Sequence, residues 1–191
     1  MNYPEYAKVN DKLYKINTDF RVAIKCDEIA RDGTIGDFER VLGIIYLLFG
    51  DEGINSQEDY EKLLELAKKY LSCGKELEST KEEPDMDYIE DMDYIEASFM
   101  SDYHIDLANI EMHWWKFNNL MNGLSNSEMG NCCVLNRIRN LRNYDIKDIK
   151  DAKDREKILK AKERVALKKN KKKATKEQQE SAENLIKLLN L

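Results

Sequence analysis

Leu107-Ala108-Asn109-Ile110-Glu111-Met112-His113-Trp114-Trp115-Lys116-Phe117-Asn118-Asn119-Leu120-Met121-Asn122-Gly123-Leu124 is an apolar-rich stretch that holds both tryptophans of the chain. Its spacing decides the fold class. Leu107, Ile110, Trp114, Phe117, Met121 and Leu124 step by three or four residues, which lays them along one face of an α-helix. Asp102 and Asp106 stand ahead of it, where negative charge suits a helix N-terminus. Trp114 and Trp115 point about 100° apart on a helix, so one can be core while its neighbour meets a partner.

Upstream the same period recurs. Asp37 to Phe49 reads as a helix turning Phe38, Val41, Leu42, Ile45 and Leu48–Phe49 to a core before Gly50. Ser56-Gln57-Glu58-Asp59 reads as a capping box opening a helix that carries Leu63, Leu64, Ala67, Tyr70 and Leu71 and ends near Gly74. Thr18 or Asp19 caps an earlier helix with Phe20, Ala23, Ile24 and Asp27 on one face and Asp32-Gly33 as its stop. Before it, an Asn10-Asp11 turn between Lys8-Val9 and Lys12-Leu13-Tyr14-Lys15-Ile16 predicts a small hairpin. Downstream, Glu128 to Leu141 predicts one more core helix, carrying Val134, Leu135, Ile138 and Leu141.

Residues 75–87 are acidic, poor in bulky apolar groups and broken by Pro84, and read as a linker. Directly after, Asp85-Met86-Asp87-Tyr88-Ile89-Glu90 is repeated letter for letter as Asp91-Met92-Asp93-Tyr94-Ile95-Glu96. Two copies cannot make a solenoid, and without a glycine they do not read as a calcium loop. The duplication reads as an addition of under two helical turns. From Tyr144 the core signal fades. The apolar–Lys–Asp repeat over 145–155 suits a solvated helix. Lys168-Lys169-Asn170-Lys171-Lys172-Lys173 is a self-repelling run, and Ala182, Leu185, Ile186, Leu188 and Leu189 form a short amphipathic end suited to docking. These elements predict a mainly α protein with a small N-terminal β element. A compact helical domain spans 1–145 with its acidic linker near 75–87, and 146–191 is a charged helical C-terminal extension.

Composition agrees. The 191 residues are 42% hydrophobic and 36% charged, against ~25% charged in an average chain, with only 8 Gly and 2 Pro. Charged helices fit; collagen-like, proline-rich and all-β readings do not. The longest apolar run, Val41 to Phe49, is far short of the ~18 residues of a membrane span, so no membrane partner is expected. The N-terminus lacks a basic region and an apolar core, so no signal peptide is expected. Cys26, Cys73, Cys132 and Cys133 lack paired metal spacing and read as reduced thiols. The net charge of −6 hides an uneven distribution: from Arg137 onward about 18 Lys/Arg face nine Asp/Glu, while the remainder holds about 13 against 28.

No constellation speaks for chemistry. His104 and His113 lack the i, i+4 spacing of a helical metal pair, and adjacent Cys132–Cys133 chelate one tetrahedral ion poorly. No phosphate-cradling glycine loop, Gly-x-Ser-x-Gly elbow or dinucleotide fingerprint occurs. No catalytic residue, metal site or cofactor is expected. The lysine run lacks arginine and interleaved aromatics, so it reads as a solvated hinge and nucleic acid is not the expected partner.

Ile95-Glu96-Ala97-Ser98-Phe99-Met100-Ser101-Asp102-Tyr103-His104-Ile105-Asp106-Leu107 with Met112 to Leu120 resembles the signature of a bacteriophage family named after gene product fifteen. The shared features are Tyr-x-Ile-Asp-Leu at 103–107 and His-Trp-Trp-x-Phe at 113–117, with Asp19-Phe20-Arg21 as the early Asp-x-Arg element and an arginine-containing stretch at Arg137–Arg142. The resemblance spans about residues 10–145. It implies an origin in tailed phages or prophages of Gram-positive bacteria and a place in the host cytoplasm. It also implies a gene between those for major tail proteins and the tape measure protein, as for tail assembly chaperones. The implied partner is the tape measure protein or another tail protein, with self-association open. A tape measure chain is a long helix with an apolar stripe, and a shallow groove can shelter such a stripe. Met112, Trp115 or Phe117, whichever is exposed, and the C-terminal Leu185 and Leu188 are the expected partner-binding residues.

Overall fold

Residues 3–76, 84–126, 132–147 and 149–168 are described by a computed structural model. In chain order they form β1 (Tyr6–Val9), β2 (Lys12–Lys15), α1 (Phe20–Arg31), α2 (Asp37–Ile54), a 3-10 turn (Gln57–Asp59), α3 (Tyr60–Leu71), α4 (Met92–Tyr103), α5 (Trp114–Asn122), α6 (Val134–Asn143) and α7 (Ala152–Val165). The mainly helical class with a small β element is what the sequence predicts. Leu185, Leu188 and the lysine run past Lys168 lie outside the described residues.

The chain divides into two compact units, and neither is continuous. One holds residues 1–81 and 104–124, the other 82–103 and 125–191. Helix α7 has no buried residue; its C-terminal end is held in the second unit by buried Leu167 and by the Arg142 guanidinium on Val165 O at 2.7 Å.

In the first unit β1 and β2 pair antiparallel, Val9 opposite Lys12 and Tyr6 opposite Lys15. The two-residue turn forms because Asn10 accepts φ 52°, a left-handed conformation that Asn tolerates. Ala7, Val9 and Tyr14 are buried while Tyr6 and Leu13 face out. Tyr14 Oη donates to the buried Asp59 carboxylate at 2.7 Å, and Asn10 Nδ2 donates to its other oxygen at 3.2 Å. Those bonds divert Asp59, and no capping box forms. Ser56 Oγ donates instead to Glu52 O, and no side chain caps the 3-10 turn. Helix α1 begins where Asp19 accepts from Arg21 N. Helix α2 breaks at Gly50, whose φ of 63° and ψ of −155° belong to glycine alone.

The expected long helix over 107–124 does not form. Asp102 lies within α4, and His104 at φ 55° ends that helix. Asp106 then accepts from Ala108 N and Asn109 Nδ2, a local turn that competes with helix. Leu107 is buried from this loop, and helix resumes only at Trp114.

The second unit turns on Arg142. Its guanidinium makes two 2.7 Å bonds to the two oxygens of Asp91 and a third, of 2.8 Å, to Asp85 O. The Asp91 and Arg142 side chains are only 1% and 9% exposed, so this is a buried, bidentate pair with its remaining donors used. The two identical hexads take different structures as a result. Asp91 opens α4 and Ile95 is fully buried, whereas Asp85–Glu90 is a turn that leaves Ile89 exposed. Asp85 accepts from Arg139 Nε at 3.0 Å and Asn143 Nδ2 at 2.8 Å, so the end of the expected linker is anchored. Buried Ser98 accepts from Leu135 N, and Cys133 Sγ accepts from Asn136 N, which together satisfy the first turn of α6. Helix α6 starts at Val134; residues 128–131 of the expected helix lie outside the described residues. The solvated helix expected over 145–155 begins only at Ala152, capped by Asp151.

Asp91→Ala strands a buried guanidinium and should cost about 3–5 kcal/mol in denaturant unfolding; Asp85→Ala, at a part-exposed pair, should cost about 1 kcal/mol. Deleting either hexad yields one and the same polypeptide. Its surviving copy should occupy the α4 position, leaving helical circular dichroism intact and removing the contacts of the first hexad: those of Asp85, the Asp87 N–H on Asp91 and the Glu90 carboxylate on Lys168 N.

Candidate functional site

In the first unit, residues 94 positions apart meet in a single antiparallel bridge between Asp19 and His113. Phe20 N donates to Met112 O at 2.9 Å and Trp114 N to Thr18 O at 2.7 Å. Asp19 and His113 are also the N-caps of α1 and α5, so one short bridge sets the start of two helices. Arg21 fixes the intervening loop. Its guanidinium reaches the Ile110 carbonyl at 3.0 Å and Ala108 at 3.3 Å, bonds Leu107 O as well, and pairs with Asp19 at 3.2 Å. His113 uses both nitrogens. Nδ1 accepts from Trp115 N at 3.0 Å, which leaves the proton on Nε2 for donation to Pro4 O at 3.1 Å. Its ring stacks on Tyr3 at 4.9 Å.

The paired tryptophans end α3. Trp114 Nε1 donates to Leu71 O and Trp115 Nε1 to Tyr70 O, each at 2.9 Å. Helices leave their last carbonyls unpaired; here one indole satisfies Leu71 O, and the other adds a second donor to Tyr70 O, which also accepts from Cys73 N at 3.0 Å. Gly74, at φ 73°, lets the chain turn beneath Trp115, whose Cη2 would sit 3.4 Å from an added Cβ.

Beside the bridge lies an open depression of about 1100 Å³, walled by the end of β2, the start of α1, the second half of α2 and the loop ending at His113. Gly50 and Leu47 contribute to it, and Lys15, Asp51 and Glu111 lie on its lining. The side chains of those three charged residues are exposed and carry no hydrogen bond among the described residues. Tyr46, 55% exposed, is shared between the depression and a ridge along α2. The ridge is Phe38, Leu42 and Tyr46, one helical face at steps of four over about 12 Å. Phe38 is 63% exposed, which corrects its expected core position. The reason is that α2 is apolar on more than one face. Ile44, Ile45, Leu48 and Phe49 fill the core, and a helix has only one inward side.

Of the expected partner-binding residues, Met112 and Phe117 are core: they are 4% and 0% exposed. Phe117 stacks on Phe20 at 4.6 Å, and Met112 is held by the Phe20 N–H on its carbonyl. Trp115 is half-buried and serves as the donor that ends α3. Sequence reasoning places Phe38 in the core and passes over Tyr46, because their period merges with that of the core stripe; the signal for a second face is a helix too apolar for one buried side.

Cys26, Cys73 and Cys132 are not activated thiols. Burial and, secondarily, Asp27 push Cys26 up to about 12, and burial also raises Cys73 and Cys132. Among the described residues no three His, Cys, Asp or Glu side chains are grouped to hold a metal ion, and no helix is long and apolar enough to cross a membrane.

A family model described as Bacteriophage Gp15 protein matches residues 3–167. No curated protein and no solved structure matches the chain.

Trp115→Phe removes the indole donor from Tyr70 O, which keeps its 3.0 Å bond from Cys73 N, and should cost about 0.5–1.5 kcal/mol in thermal or denaturant unfolding. Tyr70 Oη is buried without a hydrogen-bond partner among the described residues. Tyr70→Phe should therefore leave stability unchanged or raise it by about 1 kcal/mol.

Proposed function

The chain belongs to the bacteriophage Gp15 family, and on that footing we propose that it is a tail assembly protein that binds and shelters the tape measure protein while a tail is built. The observation that supports this reading is the ridge of exposed Phe38 and Tyr46 with half-buried Leu42 between them, and the depression at its end. Two large apolar side chains in one row are costly to leave in water, since a buried residue of that size gains about 1.5–3 kcal/mol. Their retention on a surface suits binding. A row at helical spacing matches the stripe of a second helix, and a partner helix laid along it removes both stripes from water. The sheltering step needs no bond making: it trades two hydrated apolar faces for one interface and reverses when a tail tube subunit competes for the tape measure chain. The aromatic members supply most of the contact area at little entropic cost.

The test is co-expression with the tape measure protein of the same phage or prophage, reading its soluble fraction. Soluble tape measure protein is expected with this chain and aggregate without it. Phe38→Glu with Tyr46→Glu should abolish the effect while changing the unfolding midpoint little, because both positions are exposed. Mass spectrometry of purified particles should lack this chain. Its presence there in stoichiometric amount would mark a structural tail component instead, and equal solubility with and without it would sink the sheltering role.

A further inference from the structure

The charges around the ridge say what kind of segment fits it. Asp37 and Glu39 flank its first residue, and Asp51 and Glu52 follow its last. An antiparallel second copy, ridge on ridge, would bring those acidic ends together, which disfavours self-association here. The unit that carries the ridge holds 13 Lys/Arg against 18 Asp/Glu, which disfavours a polyanion.

The depression beyond Tyr46 has its own balance. Arg21 is spent on Asp19 and on three backbone carbonyls of the Leu107–Ile110 segment, so its charge is already answered. That leaves the carboxylates of Asp51 and Glu111 against the single ammonium of Lys15. The first segment of α2 ends here at Gly50 and adds the partial negative charge of its terminal carbonyls. An apolar ridge thus runs into a pit that favours a cation with an aliphatic stem.

We infer that the docked segment is an amphipathic helix whose apolar stripe ends in a lysine or arginine seated in the depression near Asp51 and Glu111. The inference rests on the docking role proposed above and specifies the chemistry of the partner. The stripe lies on Phe38, Leu42 and Tyr46; the terminal cation fixes direction and register, since a helix reversed on the ridge places that charge away from the pit. Electrostatic complementarity of this sort sets orientation and partner choice more than raw affinity.

Two synthetic helical peptides of about 16 residues, enough to span the ridge with a turn beyond each end, test this with the full-length protein. They share one leucine stripe and differ in ending with two arginines or two serines. Fluorescence anisotropy should show the arginine peptide binding at least tenfold more tightly, with the preference shrinking as salt is raised. Asp51→Asn with Glu111→Gln should erase the preference and leave the serine peptide unaffected. Glu61→Gln with Glu65→Gln, which removes the same charge from α3, should preserve it. Phe38→Glu with Tyr46→Glu should abolish binding of both peptides. Equal binding of the two peptides overturns the inference, as does a preference lost equally in both charge-neutralised variants. If the peptides bind equally while the tape measure protein is still kept soluble through the ridge, the anchor fails and the docking role stands. If the ridge variant still solubilises the tape measure protein, the docking role itself fails.

Discussion

The first unit hangs on one two-bond contact, the antiparallel bridge that joins Asp19 to His113. Two backbone hydrogen bonds close a loop of more than ninety residues, an entropic cost that they cannot meet alone. The surrounding groups meet it. Each bridge residue caps a helix, the Arg21 guanidinium gathers the carbonyls of the returning loop, and Phe20 stacks on Phe117 below. Once α5 is fixed by this bridge, its two indoles fall on the last carbonyls of α3, and α3 is fixed in turn. The same bridge forms one wall of the depression. The proposed docking surface and the folding joint therefore share the same backbone.

The second unit uses a different device. Where the first is joined by main chain and aromatic rings, the second gathers its segments around one charged side chain. Arg142 reaches the carboxylate of Asp91, the backbone of Asp85 and the backbone of Val165, so the start of α4, the hexad turn and the end of α7 are registered together. A buried ion pair gives little net stability over an apolar replacement, because desolvating both charges offsets their attraction. Its consequence here is positional: with two identical hexads available, only the aspartate that meets Arg142 begins the helix.

Helix α2 connects fold to function. Its inward face is used by the core and its other apolar face is not, so a residue pattern that looks like surplus hydrophobicity becomes a ridge. Gly50 breaks the helix where the ridge ends, opening the depression and leaving charged side chains at its rim. The proposed role, holding a helical partner and releasing it, suits such an arrangement, since the surface is shallow, apolar along its length and charged at one end.

Local interactions carried what was legible in the sequence. The Asn10-Asp11 turn, the Asp19 cap, the Gly50 stop and the helical period through α1, α2 and α3 depend on residues within a few positions of one another, and each is readable from composition and spacing. The His-Trp-Trp-x-Phe block likewise carried the family in its own letters. What only tertiary structure decided required distant partners. Asp59 leaves its capping box for Tyr14, 45 positions away, and His104 and Asp106 break a helical period that Leu107 to Leu124 appear to share. Identical hexads separate into turn and helix: Arg142 takes the carboxylate of Asp91 but only the backbone carbonyl of Asp85. Phe38 and Met112 exchange their expected places for the same reason: periodicity shows that a helix has apolar faces, and only the packing of other elements determines which face remains for a partner.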